Sequence, residues 1–127
     1  MNTATFPGIK KMSPQLIVAD IQRSIAFYTQ KLGFTVDFRY EDFYAGIVRE
    51  GFSIHLKLGK PSLEESKGRI NNEDLAIVFS VDDIDGCYEE LSNKSVAFVQ
   101  TLREMPYGRE FYITDPDGYL LAFLDNN

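Results

Sequence analysis

The side chains in this sequence that could do chemistry are few. His55, within "FSIHLKL", is the only histidine and Cys87 the only cysteine. A second imidazole, an internal disulfide and a cysteine-based zinc site are therefore all ruled out. The isolated glycines of "FPGIKK" and "EGFS" form no phosphate loop or dinucleotide fingerprint. The carboxylate runs "EDF" (41–43) and "VDDID" (81–85) have simpler uses, in a hairpin turn and a helix cap. The segment densest in possible contacts is "PYGREFYITDPDGYLLAF", residues 106–123. It sets Arg109 and Glu110 beside Tyr107, Phe111 and Tyr112, ahead of a "DPDG" turn. Strand alternation would place Tyr107, Arg109 and Phe111 on one face and Glu110 and Tyr112 on the other. In the same way His55 would share a face with Ser53 and Lys57, opposite Ile54 and Leu56. Aromatic surface beside charge suits the binding of a flat ligand at least as well as catalysis.

These residues sit on elements with a repeating rhythm. "KMSPQLIVA" reads as a strand, and Asp20 caps a helix carrying Ile21, Ile25, Tyr28 and Leu32 that closes at Gly33. "FTVDFRY", "FYAGIVRE" and "FSIHLKL" follow as strands. Residues 59–74, "GKPSLEESKGRINNED", are polar and turn-rich and read as a linker. The pattern then restarts. "LAIVFSV" is a strand, and Asp82 or Asp83 caps a helix with Ile84, Cys87, Tyr88 and Leu91 on one face, which makes Cys87 a core residue. "SVAFVQTL", "GREFYITD" and "GYLLAFLD" are the last three strands. Asp20 overlays Asp83 at an offset of 63 residues, and Gly51 overlays Gly118 at an offset of 67. The extra four residues fall around "DPDG". An internal repeat of one βαβββ unit follows, with each unit alone leaving a sheet face exposed.

The bulk properties narrow the partners. The chain has 127 residues, enough for one domain, with a formal net charge of −6 from 19 acidic and 13 basic residues. An acidic protein without a basic stripe is poorly suited to nucleic acid and better suited to a cationic ligand. "MNTATFPGIKKM" lacks the apolar run of a secretory signal, and no segment reads as a membrane span, so a cytoplasmic location is expected.

Taken together, "VADIQRSIAFYTQKLGF", "FSVDDID" and "GREFYITDPDGYLLAF" resemble the vicinal oxygen chelate superfamily, which includes glyoxalase I, extradiol dioxygenases and the fosfomycin- and bleomycin-resistance proteins. "LGFTVDFRYEDFYAGIVREG" and "MPYGREFYITDPDGYLLAF" are most similar to the bleomycin-resistance group. The resemblance spans about residues 13–125. It implies an α+β fold in which two tandem βαβββ modules (about 10–58 and 75–125, joined by the linker 59–74) form a curved mixed sheet around a cleft. It also implies a homodimer with a groove at each subunit interface and an N-terminal strand exchanged between partners, with Pro14 at the hinge.

The resemblance places the superfamily's four metal-ligand positions at Ser13, His55, Ala76 and Ala122. The repeat offsets agree, since 13 + 63 = 76 and 55 + 67 = 122. Alanine offers no donor and serine a poor one, so no metal, no other cofactor and no catalytic residue are expected. The resemblance instead implies that Phe38 and Tyr107 stack a flat drug, with Arg109 and His55 as further candidate contacts. Asp37, Glu41 and Asp42 would form an acidic rim. The expected function is sequestration of a planar cationic glycopeptide antibiotic, or a similar ligand, without turnover. The alternatives are a metal-dependent glyoxalase-like lyase or extradiol-type dioxygenase, and a binding module for an unrelated metabolite.

Overall fold

The computed structural model describes residues 5–125. The first module runs β1 (Gln15–Val18), α1 (Ile21–Gln30), β2 (Thr35–Tyr40), β3 (Tyr44–Arg49) and β4 (Phe52–Leu58). After α2 (Leu63–Asn71) the second module repeats this order as β5 (Leu75–Ser80), α3 (Ile84–Ser92), β6 (Ala97–Met105), β7 (Gly108–Thr114) and β8 (Leu120–Asp125). The α+β architecture of paired βαβββ modules is thus present. Its strands divide into two four-stranded mixed sheets, ordered β1-β4-β3-β2 and β5-β8-β7-β6. In each sheet the first strand lies parallel to the last, and the other pairs are antiparallel.

The registers reproduce the offsets read from the sequence. Gln15 pairs with His55 in the first sheet and Val78 with Ala122 in the second. The differences are 78 − 15 = 63 and 122 − 55 = 67. Both helix starts follow local capping chemistry. The Asp20 carboxylate accepts from Arg23 N at 3.0 Å, and Asp83, rather than Asp82, accepts from Gly86 N at 3.0 Å.

The stretch 59–74 is not simply a linker, because α2 forms within it. Ser62 caps this helix, Glu64 and Glu65 occupy its first turn and Arg69 its last, matching the helix dipole at both ends. Its only buried residue is Ser66, so it has no apolar stripe for a periodicity argument to detect.

A single apolar core joins the modules. Ile21, Ile25 and Tyr28 of α1 and Ile47, Ile54 and Leu56 of the first sheet pack in one cluster with Ile84, Phe111, Ile113, Leu121 and Phe123. Phe111 and Phe123 stack at 4.9 Å, and Phe34 meets Phe79 edge-on at 6.4 Å across the module boundary. Each sheet therefore turns one face toward this shared core and the other away from it. Cys87 is partly buried against the core. No helix among the described residues is long and apolar enough to cross a membrane.

Candidate functional site

The outward face of the first sheet carries an aromatic cluster. The strand registers line up Phe38, Gly46, His55 and Gln15 in one row across β2, β3, β4 and β1. Gly46 explains how Phe38 lies there. A Cβ at position 46 would sit 2.1 Å from Phe38 Cε2, so the ring rests where any side chain on β3 would stand. Phe38 then stacks against Tyr44 at 6.1 Å and meets His55 edge-on at 5.2 Å. Tyr40 and Phe43 extend the cluster, stacked at 6.5 Å, and are 59% and 54% exposed. Exposed aromatic patches of this kind are the surfaces on which ligands or partners commonly dock.

The polar edge of the cluster is equally ordered. Tyr44 Oη lies 2.9 Å from His55 Nδ1 and donates to Gln15 Oε1 at 3.0 Å. His55 N donates to the Pro14 carbonyl at 2.8 Å, so Pro14 abuts β1 at the edge of the site. Before Pro14, the described residues form no helix or strand, and Phe6, Ile9 and Met12 are largely exposed. The acidic rim is partly neutralised, since Asp37 pairs with Lys11 and Asp42 with Arg39.

The outward face of the second sheet holds a different cluster, centred on the buried carboxylate of Glu110. Arg103 Nε donates to it at 2.8 Å, Tyr107 Oη at 2.6 Å and Tyr112 Oη at 3.0 Å. Burial pushes the Glu110 carboxyl up, but these three donors outweigh it and hold the group below its ordinary range. The hydrogen bond to Glu110, with some desolvation, pushes the Tyr107 phenol up to about 12. Desolvation followed by the same carboxylate raises Tyr112. Acid held ionised beside phenols held neutral gives no group poised to exchange protons near neutrality. The cluster is a fixed platform of donors and rings.

One expectation about this hairpin needs correcting. Tyr107 does not share a face with Arg109 and Phe111. Pro106 and Tyr107 form the turn between β6 and β7, so Tyr107 lies outside the strand alternation and turns to Glu110. Arg109, on the same helix-facing side as Phe111, makes a bidentate pair with Asp85 in the first turn of α3, at 3.1 and 3.0 Å. It ties the hairpin to the helix layer. Phe38 and His55 are brought together, whereas Tyr107 belongs to the second sheet, on a face turned away from the same core.

The four positions where the resemblance puts metal ligands do not fit a metal. Ala76 and Ala122 have no donor atom, the Ser13 hydroxyl is bonded to that of Ser53, and His55 Nδ1 is engaged by Tyr44. Among the described residues no three His, Cys, Asp or Glu side chains gather as a metal site.

Sequence reasoning also passed over the aspartates of "DPDG" as turn formers only. Asp117 accepts from Ala19 N and Arg23 at 3.0 Å each and from Ser24 Oγ at 3.4 Å, and Asp115 accepts from Tyr28. They bind the modules together, and no local signal could have announced it.

A pair of βαβββ modules sharing one core, with an aromatic cluster on the outward face of one sheet and a polar cluster on that of the other, defines a glyoxalase-type architecture. The chain belongs to the Glyoxalase/Bleomycin resistance protein/Dioxygenase superfamily, whose family model matches residues 10–123. A bleomycin resistance protein of Geobacillus stearothermophilus is 30% identical, over 87% of this chain and 92% of that protein. The bleomycin-binding protein of the bleomycin producer Streptomyces verticillus, solved with copper(II)-bleomycin, has a TM-score of 0.69 at 24% identity, covering 96% of this chain and 100% of that one. TnmS3, an antibiotic binding protein from Streptomyces sp. CB03234, gives 0.68 at 20% identity, covering 97% and 98%. At these identities the solved structures speak for the fold.

Proposed function

We propose that this chain sequesters a planar, cationic small molecule, of the bleomycin kind or similar, without turning it over. The observation that carries the reading is the Phe38 platform, a half-buried ring over Gly46, edged by Tyr44 and His55 and continued by exposed Tyr40 and Phe43. Stacking on such a surface contributes on the order of 1 kcal/mol per ring, and a cation gains further from the acidic surroundings. The ion pairs Lys11–Asp37 and Arg39–Asp42 are exposed and weak, so a ligand cation can displace Lys11 or Arg39 from its carboxylate. The tyrosines and carboxylate of the second face, held away from neutral pKa values, favour binding over catalysis.

The site is completed by a second copy of the chain. Phe38 and Tyr107 stand on sheet faces that both turn away from one shared core, so within one chain they cannot flank a single ligand. In a homodimer, Phe38 of one copy and Tyr107 of the other can close over it. The residues before Pro14 would serve as the arm that crosses between copies, with Pro14 as its hinge. Exposed Val78, on the outward face of the second sheet, fits the same assembly. Arg109 is left out of the ligand contacts because its guanidinium is committed to Asp85.

The test is calorimetric titration of chelator-treated protein with metal-free bleomycin. Saturable heat at one drug per chain, lost in Phe38→Ala and in Tyr107→Ala, is the expected result. No heat at micromolar protein would sink the drug-binding reading.

A further inference from the structure

We propose that the groove reads one hydrogen-bond donor on its ligand through the bare Nε2 of His55, whose tautomer is set from behind by Tyr44 and Gln15. This rests on the reading above that the Phe38 face holds a flat molecule. Tyr44 Oη has one proton to give and stands 3.0 Å from Gln15 Oε1 and 2.9 Å from His55 Nδ1. An amide oxygen can only accept, so the phenol proton goes to Gln15. The contact to His55 is then a hydrogen bond only if Nδ1–H donates to Oη. A neutral imidazole carries a single N–H, so Nε2 is left with its lone pair.

The fold holds this arrangement in place. Gln15 and His55 are direct neighbours in the parallel β1–β4 pair, and Gly46, two residues beyond Tyr44, neighbours His55 in β3–β4. The imidazole is walled by two rings, Phe38 at 5.2 Å and 89° and Tyr44 at 5.5 Å and 78°. A tilt would break both ring contacts, and a flip would take Nδ1 away from Tyr44 Oη. Nε2 has no protein partner among the described residues. It is not sealed from solvent either, since the only fully enclosed, unpartnered side-chain nitrogen or oxygen among them is Arg69 Nε. A lone pair held in a fixed direction beside a stacking platform selects a flat heteroaromatic with an N–H, or a rigidly attached amide or ammonium. A ligand that brings its own lone pair to that point is rejected, because two acceptors would face each other at the edge of a stacked ring.

The lone histidine makes the test direct, since a 15N-labelled sample gives one pair of imidazole nitrogens. At about pH 8.5, where an ordinary imidazole is neutral, Nδ1 should appear protonated and Nε2 unprotonated. Gln15→Glu should keep that pattern, because a carboxylate accepts the Tyr44 proton as the amide oxygen does. Tyr44→Phe should lose it. Benzimidazole should shift the Nε2 resonance and bind at least about tenfold more tightly than 1-methylbenzimidazole, which lacks the N–H. A protonated Nε2 in the unaltered protein, a reversed pattern in Gln15→Glu, or equal binding of the two fragments overturns the proposal. Bleomycin failing to bind while these results hold removes the drug and keeps the recognition rule. Bleomycin binding with Nε2 protonated does the reverse.

Discussion

Tyr28 donates its hydroxyl to Asp115 Oδ2 at 2.7 Å, across 87 residues of chain, with both side chains buried. That bond is the centre of one of two seams between the modules. Asp115 also accepts from Asp117 N and Tyr119 N, and Tyr119 Oη both accepts from Ile17 N and donates to Ile17 O. The repeat predicts a matching seam on the other side, but there it stays open. At the offset of 63, Tyr28, Arg23 and Ser24 correspond to Leu91, Gly86 and Cys87, none of which can reproduce the polar latch. The β3–β4 turn at Glu50 and Gly51 is also too short to reach across as "DPDG" does. A groove of about 670 Å³, lined by Arg49, Glu50, Asp83, Cys87 and Leu91 among others, occupies that place.

Tyr28→Phe therefore tests the closed seam. It leaves Asp115 Oδ2 buried without its donor, at an expected cost of about 1–3 kcal/mol. Urea unfolding should show a lower midpoint with an unchanged slope. A midpoint equal to that of the unaltered protein would mean that the latch carries no stability.

Gly118→Ala should be worse tolerated than a surface glycine change normally is. Gly118 has φ +83°, and an added Cβ would lie 1.8 Å from Ser66 Oγ and 3.0 Å from its Cβ. The left-handed backbone alone costs about 1–2 kcal/mol for a residue with a side chain. Adding Ser66→Ala removes the hydroxyl clash but not the backbone strain or the remaining close contact. The double variant should recover part of the loss in thermal melts; full recovery would show that the φ contributes nothing.

Acid should weaken the second sheet's platform through Glu110. Its carboxyl is held below the ordinary value, so its contribution is fully present above about pH 4.3 and fades as pH falls through the folded value. Asp115 has the opposite sign. Burial raises it despite the bond from Tyr28, so its contribution is present below about pH 3.9 and is lost as pH rises through the raised value. Glu110→Gln should lower stability at pH 7 and flatten the fall of the urea midpoint between pH 7 and 3. An equally steep fall would place the acid sensitivity in other groups.

The parts of this fold that were legible are those specified locally. Asp20 and Asp83 announce their helices because a capping carboxylate acts on an amide three residues away. The two-module repeat was visible because equal faces need equal spacing of Ile, Leu and Phe. Helix α2 was not visible, because caps and terminal charges hold it without an apolar stripe. The direction of Tyr107 was missed for a different reason. Alternation holds only inside a strand, and Tyr107 lies in the turn that resets it. The latch at Asp115 and Asp117 depends on α1, far away in the chain, and local pattern carries no trace of it.

Gly46→Ala separates the binding face from the fold more cleanly than removing an aromatic does. Position 46 has no left-handed backbone to strain, so the new methyl acts only on what covers it. It would stand 2.1 Å from Phe38 Cε2, 2.6 Å from Cζ and 2.7 Å from Cδ2, so the ring must swing off the sheet. Phe38 is in the outward cluster and not in the shared core, so the overpacking cost should stay near the low end of about 1–3 kcal/mol. The stacked and edge-on contacts to Tyr44 and His55 are lost with the ring's position, although every aromatic residue is still present. Ligand affinity should fall at least about tenfold, as it would for a lost stacking partner and its preorganisation. Calorimetry read beside a urea melt distinguishes the outcomes. Lost binding with a nearly unchanged midpoint locates recognition in the pose of Phe38, whereas intact binding would mean that the ligand never rests on that ring.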